Sequence, residues 1–123
     1  MRHPILTALA ALLLALGLSG AANAGPFDDA LAAAKRGDYA TAFRLWRPLA
    51  DQGNARAQYN LGVMFEFGQG APQNHVQAHK WFNLAGAGGV EDGRKNRDIV
   101  ATKMTPAQIA EAQRLASEWK PKQ

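Results

Sequence analysis

The chain of 123 residues contains no cysteine. It can therefore make no disulfide, no thiolate metal site and no thiol nucleophile, and its fold must rest on packing alone. Serine is almost missing too, since Ser117 is the only one beyond residue 24. No apolar run is long enough to span a bilayer. The longest, Ile5 to Leu18, reaches about 21 Å as a helix against a hydrocarbon core of about 30 Å. A strong excess of one charge is also lacking. Without Arg2 there are 13 Lys+Arg against 10 Asp+Glu, a net charge of +3. The basic residues are scattered except for Arg94, Lys95 and Arg97, which argues against nucleic acid as a partner.

The apolar run does have a use. Arg2 precedes it and the small-residue sequence Ala22-Asn23-Ala24 follows, the order of a secretory signal. Cleavage after Ala24 is expected, so residues 1–24 are a signal peptide. The protein is then periplasmic, with secretion further out left open, and it keeps no membrane insertion. With no cysteine after the run, lipoprotein attachment is excluded. Residues 25–123 suit one domain with a modest core.

What the mature sequence does contain is a repeat. Asp38, Ala42, Leu45, Trp46, Leu49 and Gly53 recur 36 residues later as Asn74, Ala78, Trp81, Phe82, Ala85 and Gly89. A period of this size holds two short helices, and each leaves an apolar stripe wet until the next unit stacks on it. The expected fold is all-α, a short solenoid of antiparallel helix pairs with units at about 27–53 and 54–89, then a degenerate half-unit and cap over 90–119.

Local signals divide the units into helices. Pro26, Asp28 and Asp29 open the first and Gly37 ends it. Asp38 caps a second running to about Gln52, with a kink expected at Pro48. Asn54 starts a third to about Phe67. There Ala57, Leu61, Met64 and Phe65 make one stripe and Tyr59, Val63 and Phe67 another, which predicts a helix sandwiched between neighbours. Aligning Gly37 with Gly68 sets the first helix over the third. The glycines and proline of residues 68–73 make a loop. Asn74 caps a fourth helix, and a weakly amphipathic fifth runs from about Val90 to Lys103. Thr105, Pro106 and Gln108 begin the last with a capping box, and its single apolar face, Ile109, Ala112, Leu115, Ala116 and Trp119, marks an end piece. Gly62 and Ala78 are small where two helices of a pair should cross.

The residues Ala57, Leu61, Gly62, Phe65, Gly68, Gly70, Ala78, Trp81, Phe82, Ala85 and Gly89, at these spacings, resemble the Sel-one-like repeat, a relative of the tetratricopeptide repeat. The resemblance covers one full unit, Asn54 to Gly89, and the second helix of the unit before it. It implies a right-handed α-α superhelix whose concave surface binds proteins or peptides. Short exported bacterial members end in a helix like Met104 to Gln108 here. Ala71, Asn74 and Gly86 depart from the family pattern, and Gly93 and Arg97 stand where a third unit would carry Ala and Leu. The fifth helix thus reads as a half-unit that docks the cap.

Candidate chemistry is thin. His75 and His79 are four apart, a spacing able to seat one metal, but no glutamate lies between them and no further ligand is fixed nearby. They read as a solvated helix face. Ser117 and Lys120 spell Ser-x-x-Lys, the serine β-lactamase nucleophile motif, without its companion motifs. No catalytic residue, metal or cofactor is assigned. Partner contacts are placed at Gln58, Asn60 and Glu66 on the third helix and at Arg94 and Arg97 on the fifth. The sequence therefore predicts a periplasmic scaffold or adaptor binding a protein or peptide along its first, third and fifth helices. Peptidoglycan binding, and after it a hydrolase of β-lactam type, are the alternatives. So few units also leave end-to-end self-association open.

Overall fold

The computed structural model describes residues 25–123, and the expected signal peptide, residues 1–24, lies outside the described residues. Six helices follow one another with no strand among the described residues: α1 Pro26–Lys35, α2 Tyr39–Asp51, α3 Ala55–Phe67, α4 His75–Ala87, α5 Glu91–Ala101 and α6 Pro106–Glu118. None is long and apolar enough to cross a membrane.

Capping fixes the starts. The side chains of Asp38, Asn54 and Asn74 accept hydrogen bonds from the amides of Thr41, Ala57 and Gln77, which satisfies otherwise orphaned first-turn donors. Thr105 and Gln108 close a reciprocal capping box on α6. The repeat also appears in the turns. The Asn54 amide donates to the Leu49 carbonyl and the Gly53 amide to Ala50; one period later Val90 donates to Ala85 and Gly89 to Gly86. α2 continues through Pro48, which lies on its exposed side.

Each helix packs on its successor from α1 to α5, and one core runs through them. Leu61, Trp81, Phe82 and Val100 are its largest fully buried side chains. Gly62 permits the α3–α4 approach, since a Cβ there would lie 2.6 Å from two carbons of the Phe82 ring. The Gly86 and Gly93 departures explain each other. They face across the α4–α5 crossing, where a Cβ on Gly93 would lie 2.7 Å from the Gly86 amide nitrogen.

α5 occupies the place of a third unit's first helix. Its Asn96 amide donates to the Tyr59 hydroxyl at 2.7 Å, and Lys103, just beyond it, reaches Glu66 at 3.7 Å. Both partners are 37 residues apart, close to the repeat period, so α5 lies parallel to α3.

One expectation is corrected. The cap α6 packs on α4, not on α5, and the tail after it crosses to α2, where the Lys122 amide donates to the Asp51 carbonyl at 2.7 Å. Small residues explain the choice: Ala112 of α6 is fully buried, whereas α5 offers mostly charged and polar groups to its outer side. α1 meets α3 through the Arg56 guanidinium, 4.6 Å above the Phe27 ring, and a cleft opens between the helices.

Candidate functional site

The cleft has a volume of about 300 Å³ and is lined by Ala34 of α1, Tyr39 and Trp46 of α2, Tyr59, Asn60, Val63 and Met64 of α3, and Gln69 of the loop. Its floor is apolar because α3 carries two stripes. Leu61, Met64 and Phe65 are buried against the core, while Tyr59 and Val63 are half-buried and Phe67 is exposed. α3 lies between α2 and α4, as its two stripes predict. Of the second stripe, Tyr59 packs on Phe82 of α4 and accepts from Asn96 of α5, whereas Val63 is only partly covered and Phe67 stands in the open.

The loop between α3 and α4 shapes one end of the cleft. Gly70 adopts φ +78°, a left-handed conformation, and a Cβ there would strike the Tyr39 carbonyl and Met64 Cε. The loop thus lies directly on the first turn of α2. The carbonyls at the end of α3 hold it: the Gln69 amide donates to Met64, Asn74 to Phe65, and the Gln73 side chain to Glu66 at 2.7 Å.

The five expected partner residues are not gathered in one place. Gln58 is 2% exposed and its Nε2 donates to the Ala50 carbonyl at 3.1 Å, so it ties α3 to the end of α2 and is withdrawn from the binding surface. Glu66 is 6% exposed beside Lys103 and is withdrawn on the same ground. Arg97 is half-buried, donating to Asn83 of α4 and to Asp98, both at 3.0 Å. Arg94 is exposed, with its stem over Gly86 on the α4 side of α5. Only Asn60 lines the cleft. Tyr39, Val63 and Gln69 went unidentified as cleft residues. The second apolar stripe of α3 was the signal that could have led to Val63, whereas Tyr39 comes into place only when the loop folds onto α2.

The chemical candidates separate as well. His79 is 3% exposed, not on a solvated face, and its Nδ1 has no hydrogen-bond partner. Burial, then the nearby Arg97 cation, holds its pKa below the usual imidazole value. No group of three or more metal-ligating side chains exists among the described residues. The Ser117 hydroxyl donates to the Arg114 carbonyl at 2.9 Å on the exposed side of α6, and Lys120 lies beyond the helix end. Nothing encloses a substrate there.

The fold is thus a helical repeat array with a side cleft. The Sel1 repeat family model matches residues 31–54 and 55–90, and the chain is a Sel1-repeat protein. It is similar to a crystal structure of a protective antigen of uropathogenic Escherichia coli displaying an SLR fold, with a TM-score of 0.65 and 32% identity over 67% of this chain and 18% of that one. It also matches "DAP3-binding cell death enhancer 1" of Rattus norvegicus and of Mus musculus, each at 43% identity over 44 residues, 36% of this chain. The chain spans 9% of the length of those curated relatives. Sel1 repeats serve in general as non-catalytic scaffolds for protein interaction.

Proposed function

We propose that the protein is an exported scaffold that binds a segment of another protein along the face shared by α1, α3 and α5. The observation that carries this reading is the apolar cleft together with the uncovered side chains around it. Phe67 is 59% exposed, Ile99 54% and Tyr39 36%. Asn60, Val63 and Phe67 follow the i, i+3, i+7 spacing of one helix stripe. Ile99 lies three residues beyond Asn96, which bonds to Tyr59, so α5 continues the same face. Contiguous apolar surface of this kind marks a site that a partner covers. The cap and tail lie on α4 and α2, leaving this side open. For export, the support is Arg2, the apolar run and the Ala22-Asn23-Ala24 site.

A photo-crosslinking residue at position 63, compared with one at exposed position 113 on α6, tests the binding reading in intact cells. A discrete protein adduct at 63 that is absent at 113 is expected. No adduct at 63, or the same adducts at both, overturns it, as does quantitative sedimentation with protein-free sacculi. The mature N-terminus is expected at Gly25, and a protein retaining residues 1–24 overturns the export.

A further inference from the structure

The charges flanking the cleft narrow the partner. The carboxylates near this face are largely spoken for: Glu66 has Lys103 at 3.7 Å, Asp92 has Lys95 at 3.9 Å, and Asp38 serves its cap and has Arg36 at 3.8 Å. Asp28 and Asp29 sit in the first turn of α1, where they complement the positive end of that helix. Among the described residues Lys35, Arg44, Arg56, Lys80, Arg94 and Lys120 have no carboxylate within 4.0 Å, and of these Lys35 and Arg56 adjoin residues that line the cleft. Arg56 is exposed, stacked over Phe27, and one turn before Asn60 on the same stripe of α3. Lys35 is exposed and adjoins Ala34, a cleft residue near the other end of α1. Inside the cleft, Asn60 and Gln69 present side-chain amides that make no hydrogen bond among the described residues. Such amides can donate and accept at once, and so match a peptide backbone.

The geometry points to one occupant: an extended peptide segment that inserts a bulky apolar side chain between Tyr39, Trp46 and Val63, presents its backbone to Asn60 and Gln69, and carries acidic residues on both sides of that anchor to meet Arg56 and Lys35. This rests on the binding reading above and specifies its ligand.

The test is fluorescence anisotropy on the chain 25–123 with three labelled synthetic peptides, each an Ile-Phe core flanked on both sides by Glu-Glu, Gln-Gln or Lys-Lys. Two exposed ion pairs predict about a fivefold preference for the Glu peptide over the Gln peptide, shrinking in high salt. The Lys peptide should bind weakest. Lys35→Glu alone should reduce the preference, and Lys35→Glu with Arg56→Glu should reverse the order. Both variants are first shown to melt with the wild-type cooperativity, and Lys35→Glu, fully on the surface, remains decisive if the double variant does not fold. Equal affinity for all three peptides, an order unchanged by the substitutions, or binding by none of them overturns the acidic-peptide assignment. A crosslinked partner at position 63 alongside any of those results leaves the binding reading standing. Only loss of both the adduct and the peptide binding removes the two together. Peptide-independent self-association through the same residues, seen by sedimentation, also overturns the assignment and gives the face to a second copy.

Discussion

Gly62 of α3 and Phe82 of α4 meet with no room between them: the position of a Cβ on Gly62 is 2.6 Å from Cδ1 and Cε1 of the ring. Phe82 is fully buried and cannot swing aside. Gly62→Ala gains about 1 kcal/mol of helix propensity, against an overpacking cost of about 1–3 kcal/mol. A net loss for Ala and a larger one for Leu are expected in urea unfolding. An unchanged or raised midpoint for Gly62→Ala would show that the crossing has slack.

That crossing was legible in the sequence, and so was most of the fold, because caps and helical stripes are local. Asp38, Asn54, Asn74 and Thr105 cap as their types predict. The cleft was less legible. Tyr59, Val63 and Phe67 form an apolar stripe whether a neighbour covers them or not, and periodicity cannot tell a buried seam from an open face. Gln58 and Glu66 misled for the converse reason: a polar side chain on an apolar helix looks like a contact for a partner until a backbone carbonyl or a lysine 37 residues away is placed beside it.

The tail separates packing from charge. Trp119 and Pro121 lie against Gly53, with Trp119 Cη2 3.8 Å from the Cβ position there, whereas the Lys122 ammonium meets Asp51 at 3.6 Å with its side chain 73% exposed. Trp119→Ala should cost about 2 kcal/mol, in line with partial burial of a large aromatic. Lys122→Ala should stay within about 0.5 kcal/mol, since the exposed ion pair contributes little and the backbone bond to Asp51 survives. Guanidinium midpoints check both, and a larger effect for Lys122→Ala would reverse this ordering.

His79 gives stability a pH dependence. Burial, reinforced by Arg97 and opposed by Asp98, lowers its folded pKa below the usual 6.5. As pH falls, the unfolded chain therefore takes up the proton first. His79's contribution is intact above pH about 6.5 and is lost as pH falls from there through the folded pKa. The melting temperature of wild type should drop more between pH 7.5 and 5.5 than that of His79→Gln. Parallel profiles for wild type and His79→Gln would place the imidazole in water.

Gly93 tests whether α5 belongs to the array or merely follows it. The residue departs from the repeat, which has Ala at that place, yet its missing Cβ is what brings α5 onto α4: the vacant position is 2.6 Å from the Phe82 carbonyl oxygen and 2.7 Å from the Gly86 nitrogen. Both are backbone atoms of a packed helix, so neither can yield as a side-chain tip could. Restoring the family residue with Gly93→Ala should therefore weaken the protein, by about 2 kcal/mol after the propensity gain is offset. The damage should be local. Hydrogen exchange should quicken across Glu91–Ala101 while the amides of α3 keep their protection, because α3 and α4 hold each other through Leu61, Gly62 and Phe82 without α5. Uniform loss of protection would mean that α5 folds as one unit with the core, and no loss at all would mean that the α4–α5 contact is looser than these distances require.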